Sequence, residues 1–146
     1  MKTYKGFFQP LHPEKYKGNV NNIVYRSGWE ARFMRFLDNR DDVLSWSSEE
    51  VIVPYRDPIT GRLRRYFPDF LVTKKNKQNI IETVLIEIKP QRETQMPDKP
   101  ARLTKHYYNK VATYAINMKK WESADKWAKE KGYKFLILTE NDFDFK

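Results

Sequence analysis

Two carboxylates and a lysine fall within segments that have the composition of buried strands. Asp69 lies in LRRYFPDFLVT, and Glu87 and Lys89 lie at the end of IIETVLIEIK. An unpaired charge is expensive to bury, so each of these side chains needs a partner or a chemical role. Folding the two segments about the polar turn KKNKQN would bring Asp69 and Glu87 side by side.

A carboxylate pair of this kind is suited to holding a cation. Two carboxylates about 4 Å apart repel each other by about 4 kcal/mol at an effective dielectric near 20. Either one of them takes up a proton or a cation lies between them. Lys89 can offset part of the charge, but it lies two residues along the strand from Glu87. A divalent ion can bridge both groups, and oxygen ligands with bound water suit Mg²⁺.

Such a site could cut a phosphodiester bond. The metal would polarise the phosphate and ease ionisation of a bound water. Lys89 would orient the attacking water or offset the charge that grows on the phosphate. Glu30, on a predicted helix, could add a ligand or hold a metal-bound water, and Arg26 and Arg65 could contact neighbouring phosphates.

Each of these residues also has a plainer structural interpretation. Glu30 is the glutamate of the capping box SGWE, in which Ser27 caps the helix. Asp69 follows a proline, as turn and bulge residues often do. Glu87 and Lys89 alternate with isoleucines, as the solvated face of a strand would. The combination of three acids and a lysine on suitable elements is harder to explain in this way.

Composition narrows the class of protein. The chain has 146 residues, which predicts one domain with its own core. It contains no cysteine, which excludes disulfides, thiolate zinc sites and cysteine nucleophiles and suits a reducing compartment. A net charge of +9 with 15% aromatic residues favours a nucleic-acid partner. The sequence has no apolar run of membrane-spanning length and no signal-peptide core, so we expect a cytosolic protein.

The helices and strands that must position these residues are predicted from hydrophobic periodicity and from residues that interrupt regular structure. We predict a helix over 28–39, where Trp29, Phe33, Phe36 and Leu37 share a face. Strands are predicted over 43–46, 49–55, 63–73 and 80–89, a helix over 105–131 with an interruption at Asn117, and a final strand over 133–140. Residues 1–24, basic, aromatic and broken by prolines, read as an extended arm of which part docks on the body or on a ligand. The fold class is α/β, with a mixed sheet flanked by helices.

The motif resembles the signature of the PD-(D/E)xK nuclease superfamily, here Pro68-Asp69 followed by Glu87-Ile88-Lys89. The order helix, three-strand meander, helix, strand is similar to that superfamily's restriction-endonuclease-like core. The segments KYKGN, YRSGWE, YFPDF, IEIKP, ETQMPDKPARLT, YAINMKKWESADKWAKEKG and FLILTE resemble the head-completion nucleases of T-even-type phages across nearly the whole chain.

The resemblance implies a role for each candidate residue. Asp69 and Glu87 would bind Mg²⁺, with Mn²⁺ able to substitute, and the backbone carbonyl of Ile88 would complete the metal shell. Lys89 would be the catalytic lysine, and Glu30 the helix acid. Tyr25, Arg26 and Arg65 would contact DNA, residues 1–24 would form an N-terminal arm, and residues 25–146 would form the nuclease domain.

The same resemblance implies a biological setting. The protein would process double-stranded DNA in filled heads before tail joining, together with phage head or neck proteins, in the host cytoplasm or in the virion. Two other hypotheses stay open: a non-catalytic structural neck or DNA-end-binding protein, and a general nucleic-acid-binding domain. A dimer would suit paired cuts on two strands, although nothing in the sequence requires one.

Overall fold

The computed structural model describes residues 5–143, which form two helices and eight strands. The helices are α1 (Gly28–Asn39) and α2 (Lys105–Glu130), and the strands are β1 (Gly6–Phe7), β2 (Val24–Tyr25), β3 (Val43–Ser48), β4 (Val53–Arg56), β5 (Leu63–Tyr66), β6 (Phe70–Lys75), β7 (Ile81–Ile88) and β8 (Lys134–Leu138). Within this part of the chain, neither helix combines the length and hydrophobicity that a bilayer crossing requires. Residues 1–4 of the predicted arm and 144–146 of the predicted domain lie outside the described residues.

The central sheet is mixed, with the strand order β3-β6-β7-β8. β3, β6 and β7 are antiparallel neighbours, whereas β8 lies parallel to β7. The parallel pairing follows from the connection, because α2 carries the chain back along the sheet between these two strands. The hairpin β4–β5 lies between β3 and β6 in the sequence and forms a separate two-stranded sheet. β1 pairs with β2 in a second short ribbon. The predicted mixed sheet and the parallel last strand are confirmed.

Helix α1 spans the predicted range and begins at the predicted cap. The Ser27 hydroxyl oxygen accepts a hydrogen bond from the Glu30 backbone N–H at 3.1 Å. The helix buries Phe33, Met34 and Leu37 against the sheet. The prediction that Phe36 shares this buried face is wrong: 46% of Phe36 is exposed, and the guanidinium of Arg40 lies over its ring.

The segment predicted as one strand over 63–73 is two strands that belong to different sheets. β5 pairs with β4 in the hairpin, and β6 pairs with β3 and β7 in the central sheet. The break falls at the fully buried Pro68, which has no N–H to give to a ladder. As a result, Asp69 lies immediately before β6, where the chain enters the central sheet.

Helix α2 is continuous through Asn117, so the predicted interruption is wrong. Asn117 is buried, and the helix continues to Glu130. The Thr104 hydroxyl caps its start by accepting from the Tyr107 N–H at 3.1 Å. Gly132, with φ +76°, follows its end in the left-handed conformation that glycine commonly adopts after a helix.

Two hydrophobic clusters lie on opposite faces of the central sheet. One contains residues of α1 and of the N-terminal segment, and the other contains residues of α2, the β4–β5 hairpin and Leu85 of β7. The N-terminal segment docks through Tyr16 and Ile23, and the Tyr16 ring lies edge-on to Trp46 at 4.8 Å between centroids. The division of the chain at residue 24 stays a prediction.

Candidate active site

Asp69 and Glu87 lie side by side at one end of the β6–β7 pair. The register pairs Phe70 with Ile86, and its continuation places Asp69 opposite Glu87. The Ile88 N–H donates a hydrogen bond of 2.7 Å to Asp69 Oδ2, which fixes the carboxylate against β7. Side chains alternate along a strand, so Glu87 shares a face with Leu85 and points toward α2 and the hairpin. The predicted neighbourhood of the two acids is therefore present.

The groups around Asp69 and Glu87 do not fully compensate the negative charge of the two carboxylates. Glu87 is only 6% exposed. Burial raises the pKa of Glu87 to about 7, against the opposing effects of the Tyr66 hydroxyl and the Lys89 ammonium. Burial also raises the pKa of Asp69 well above its usual range, and the charge of Glu87 adds to this rise. Desolvation and like-charge repulsion act in the same direction here.

Tyr66 positions one oxygen of Glu87. This tyrosine is the last residue of β5, and its hydroxyl donates to Glu87 Oε2. The bond joins the hairpin to the central sheet at the carboxylate pair. The pKa of Tyr66 is raised by burial and by the charge of Glu87, so the hydroxyl keeps its proton and remains a donor. In the sequence, Tyr66 has the pattern of an ordinary core tyrosine, and sequence reasoning missed it.

Two lysines face the acids from different elements. Lys89 directly follows β7, its backbone N–H donates to the Leu138 carbonyl at 3.0 Å, and its charge lowers the pKa of Glu87 and of Asp69. Lys120 comes from α2, where its ammonium lies 5.7 Å from the Tyr55 ring centroid and 5.6 Å from that of Tyr66. Burial and the charge of Lys89 lower the pKa of Lys120, while Glu87 opposes this.

Sequence reasoning also missed Lys120, because it is far from the motif along the chain. In this part of α2, the sequence indicates the packed face only through the helical spacing of Asn117, Trp121 and Ala124, which are all buried. That spacing identifies the packed face of the helix but does not indicate what the flanking Lys120 reaches.

Glu30 lies at the edge of the site and is held by Arg26. Its Oε2 accepts from the Arg26 backbone N–H at 2.9 Å, whereas a capping box would use the N–H of Ser27. The Arg26 guanidinium pairs with Glu49, and the Glu49 N–H donates to the backbone carbonyl of Asp69 at 3.1 Å. Burial and the neighbouring Glu49 raise the pKa of Glu30, while Arg26 opposes them. Glu49 has φ 54°, a left-handed conformation that costs a non-glycine residue free energy.

The other predicted DNA contacts lie on the two short ribbons, β1–β2 and β4–β5. Tyr25 lies in β2, half-buried, and packs against the cluster that contains α1. Arg65 lies on the exposed side of β5, with its guanidinium 5.9 Å from the Phe67 ring centroid. The structure therefore brings Asp69, Glu87 and Lys89 together and places Tyr25 and Arg65 on the two short ribbons.

The donor set fits a divalent ion held by two carboxylates and a carbonyl. Within residues 5–143, no group of three or more aspartate, glutamate or histidine side chains is arranged to hold a metal ion, and the role of Glu30 stays a prediction. Asp69 and Glu87 instead offer hard oxygen donors whose raised pKa values reflect uncompensated charge. A divalent cation would relieve that repulsion directly. The Ile88 carbonyl belongs to the residue whose N–H holds Asp69.

Comparison with known proteins places these residues in a wider context. Residues 40–140 match the model of a family described as TnsA-like endonuclease N terminal, and this range contains Asp69, Glu87 and Lys89. The chain is 39% identical to the head completion nuclease of Enterobacteria phage T4 over 143 residues, which covers 95% of this chain and 93% of that protein. No solved structure matches the chain at a comparable level of significance.

Proposed function

The chain belongs to the TnsA-like endonuclease family, and from this premise we propose that it is a Mg²⁺-dependent deoxyribonuclease that acts in phage head completion. The observation that carries the proposal is the adjacent pair of Asp69 and the buried Glu87, with Lys89 beside it. The T4 relative is named a head completion nuclease, and the likeness extends over nearly the full length of both proteins. That coverage supports the same role for this chain.

Asp69, Glu87 and the Ile88 carbonyl are the groups that would hold the metal. When bound, a divalent ion would polarise the scissile phosphate and lower the pKa of a bound water. We expect Mg²⁺ as the physiological ion and Mn²⁺ as a substitute, because both accept oxygen ligands. The hydrogen bonds from Ile88 and Tyr66 keep the two carboxylates in place before the ion arrives.

The lysines stabilise negative charge during the reaction. Lys89 directly follows β7, two residues after Glu87, and its ammonium would contact the phosphate or orient the attacking water. Lys120 approaches from α2, so cations face Glu87 from two elements. Two ammonium groups in a partly desolvated site favour the pentavalent, more negative transition state over the substrate.

The remaining assignments concern DNA and assembly partners. Arg26, Tyr25 and Arg65 are proposed contacts to the DNA backbone: Tyr25 and Arg26 directly precede the start of α1, and Arg65 lies on the exposed side of β5. Arg26 would exchange its pairing with Glu49 for a phosphate. Double-stranded DNA in filled heads is the proposed substrate and phage head or neck proteins are the proposed partners, with assembly in the host cytoplasm before tail joining.

The test is metal-dependent cleavage by matched variants. Purified protein should cut DNA with Mg²⁺ or Mn²⁺ but not with Ca²⁺ or EDTA. Asp69→Asn and Glu87→Gln keep the hydrogen-bond acceptors, yet we expect cleavage to fall by about 10²–10³-fold or more because each removes a charged ligand. Glu82→Gln is the matched control, since Glu82 lies at the other end of β7, bound to Lys134 at 3.2 Å. Equal cleavage by parent and Glu87→Gln protein would refute the site assignment.

A complementation experiment separates the enzyme from a structural neck protein. Phage that carry Glu87→Gln should accumulate heads that fail to join tails or give non-infectious particles. If these phage instead yield normal numbers of infectious particles, the carboxylates are idle in head completion and the protein acts there by binding.

A further inference from the structure

The two halves of helix α2 have different environments. At 1.5 Å per residue, its 26 residues span about 39 Å. Its buried residues, Asn117, Trp121, Ala124 and Ala128, lie from its midpoint onward, where the sheet supports the helix. Residues 105–116 include none that is buried, and they face the loop of residues 91–104. The first half of α2 thus extends past the sheet that packs against the second half.

A groove of about 950 Å³ lies between this projecting half-helix and the loop. We call it the α2 groove and define it by Arg92, Tyr107, Lys110, Tyr114 and Asn117, which are among the residues that line it. Over residues 91–117, five basic side chains outnumber two acidic ones: Arg92, Lys99, Arg102, Lys105 and Lys110 against Glu93 and Asp98. Among the residues that line the groove, Arg92 and Lys110 are balanced by Glu93 and Asp98, so the excess of positive charge lies in the segment around the groove. The tyrosine rings are what distinguish the lining.

Both walls of the α2 groove are close along the chain to residues of the carboxylate site. Arg92 follows Lys89 by three residues, at the start of the loop that leaves β7. At the other wall, Asn117 precedes Lys120 by three residues, close to one helical turn, and Lys120 faces Glu87. Each wall of the groove is thus three residues along the chain from a lysine that faces Glu87.

The lining residues favour an unpaired nucleic-acid strand. Tyrosine rings provide stacking surfaces for bases, and bases are available for stacking on protein only when they are not stacked in a duplex. The Tyr107 and Tyr108 rings lie 5.8 Å apart, and Tyr108 is 58% exposed, so an aromatic surface continues onto the rim. Lysines and arginines along such a groove bind the phosphates that connect the bases.

We propose that the α2 groove binds an unpaired DNA strand, so that the nuclease prefers DNA with a single-stranded end or flap over blunt duplex. This inference rests on the proposed function, since it names the form of DNA that reaches the Asp69–Glu87 site. The strand would stack on Tyr107 and Tyr114, with Arg92 and Lys110 on its phosphates, and the scissile bond would lie beside Glu87.

Binding measurements with metal-free protein test the proposal. A fluorescein-labelled single strand and the blunt duplex of the same sequence are titrated in EDTA, which prevents cleavage, and anisotropy is followed. The double variant Tyr107→Ala/Tyr114→Ala should lose at least about tenfold in affinity for the single strand, because each stacked base is worth about 1–3 kcal/mol. Its affinity for the duplex should change less than about twofold. Tyr107→Phe/Tyr114→Phe keeps both rings and should bind the single strand as the parent does.

A charge variant on each half of the helix supplies a matched pair. Lys110→Ala should lower the slope of log affinity against log salt by about 0.7 for the single strand, the value for one lost phosphate contact. Lys126→Ala removes an exposed lysine from the supported half of the same helix and should leave that slope and the cleavage rate unchanged. Circular dichroism and thermal unfolding confirm that each variant is folded.

Defined outcomes overturn the inference. It fails if the parent binds the single strand no more tightly than the duplex, or if the alanine variant loses affinity equally for both. Parent protein that cuts duplex with Mg²⁺ but shows no single-strand preference keeps the proposed function and loses only this inference. Parent protein that prefers single strands through the tyrosines but cuts no DNA keeps the groove and loses the proposed function.

Discussion

Two regions of this molecule bury carboxylates in opposite ways. In the first, Asp38 of α1 is 1% exposed, and its two oxygens accept separate backbone hydrogen bonds, from Leu11 at 2.8 Å and His12 at 3.0 Å. In the second, Asp69 has one N–H donor and a second buried acid, Glu87, beside it. Backbone N–H groups therefore satisfy the hydrogen-bonding oxygens of the structural acid Asp38. The pair Asp69–Glu87 instead has negative charge that a bound cation would compensate.

A third acid supports the same distinction. Asp57 in the turn of the hairpin accepts from the Ile59 and Thr60 N–H groups and from the Arg64 guanidinium. The hydrogen bond from Ile59 is the largest cause that lowers the pKa of Asp57, and the bonds from Thr60 and Arg64 lower it further. Asp57 is nevertheless only 5% exposed. The hydrogen-bond donors around Asp57 therefore outweigh its desolvation, which acts in the opposite direction. The rise at Asp69 and Glu87 reflects what their surroundings leave uncompensated.

The largest expected effect is on the pH dependence of stability. Since the folded-state pKa of Glu87 is raised from 4.5 to about 7, folding is favoured by this group below pH 4.5, and that contribution is lost as pH rises through 7. The loss amounts to roughly 3 kcal/mol for a shift of this size. Urea unfolding in EDTA at pH 4.5–8 should show a steeper fall for the parent than for Glu87→Gln. Parallel curves for the two proteins would mean that Glu87 titrates as it does in the unfolded chain.

Metal should reverse this loss at high pH. The two carboxylates must be ionised to accept a divalent ion, so Mg²⁺ should stabilise the parent more at pH 8 than at pH 5.5. The Asp69→Asn protein should gain little from Mg²⁺ at either pH, which provides the control.

A smaller effect is expected at the structural acid. Asp38→Asn keeps one acceptor oxygen but sets an amide NH₂ against a backbone N–H, so we expect a loss of about 1–3 kcal/mol in the free energy of unfolding. Chemical denaturation measures this loss, and cleavage by the folded variant should match the parent. If the folded Asp38→Asn variant cleaves DNA more slowly than the parent, the N-terminal segment that Asp38 holds also contributes to the active site. Asp38 would then not be a purely structural acid.

The smallest expected effect concerns the second lysine. Lys120→Met should lower the cleavage rate by about tenfold, because one of two cations near Glu87 is lost. Lys119→Met is the control, since Lys119 points to Glu122 at 3.7 Å on the same helix. The rate is measured at saturating Mg²⁺, and an equal fall in both variants would assign the effect to the charge of the helix as a whole.

The sequence was sufficient for the elements that depend on local pattern. The cap at Ser27, the helix after it, the turn before β7 and the parallel β8 were all predictable from periodicity, breakers and connection length. The adjacency of Asp69 and Glu87 followed from one hairpin, because register across a short turn leaves few alternatives.

Features that depend on contacts between distant segments could not be predicted. The break at Pro68 divides the predicted strand between two sheets, and no local signal says which strand each half will pair with. The positions of Tyr66 and Lys120 beside Glu87 depend on how the hairpin and α2 pack on the sheet. The bond from Arg26 to Glu30 replaces the capping-box bond because the chain before α1 turns toward Glu49.

The bond between Tyr66 and Glu87 links the outer hairpin to the acidity of the site. Because the Tyr66 hydroxyl lowers the pKa of Glu87, any displacement of the hairpin that breaks this bond would let Glu87 hold a proton at higher pH. A protein or DNA surface that displaces β4–β5 would then favour protonation of Glu87. Cation binding would weaken although neither carboxylate is contacted.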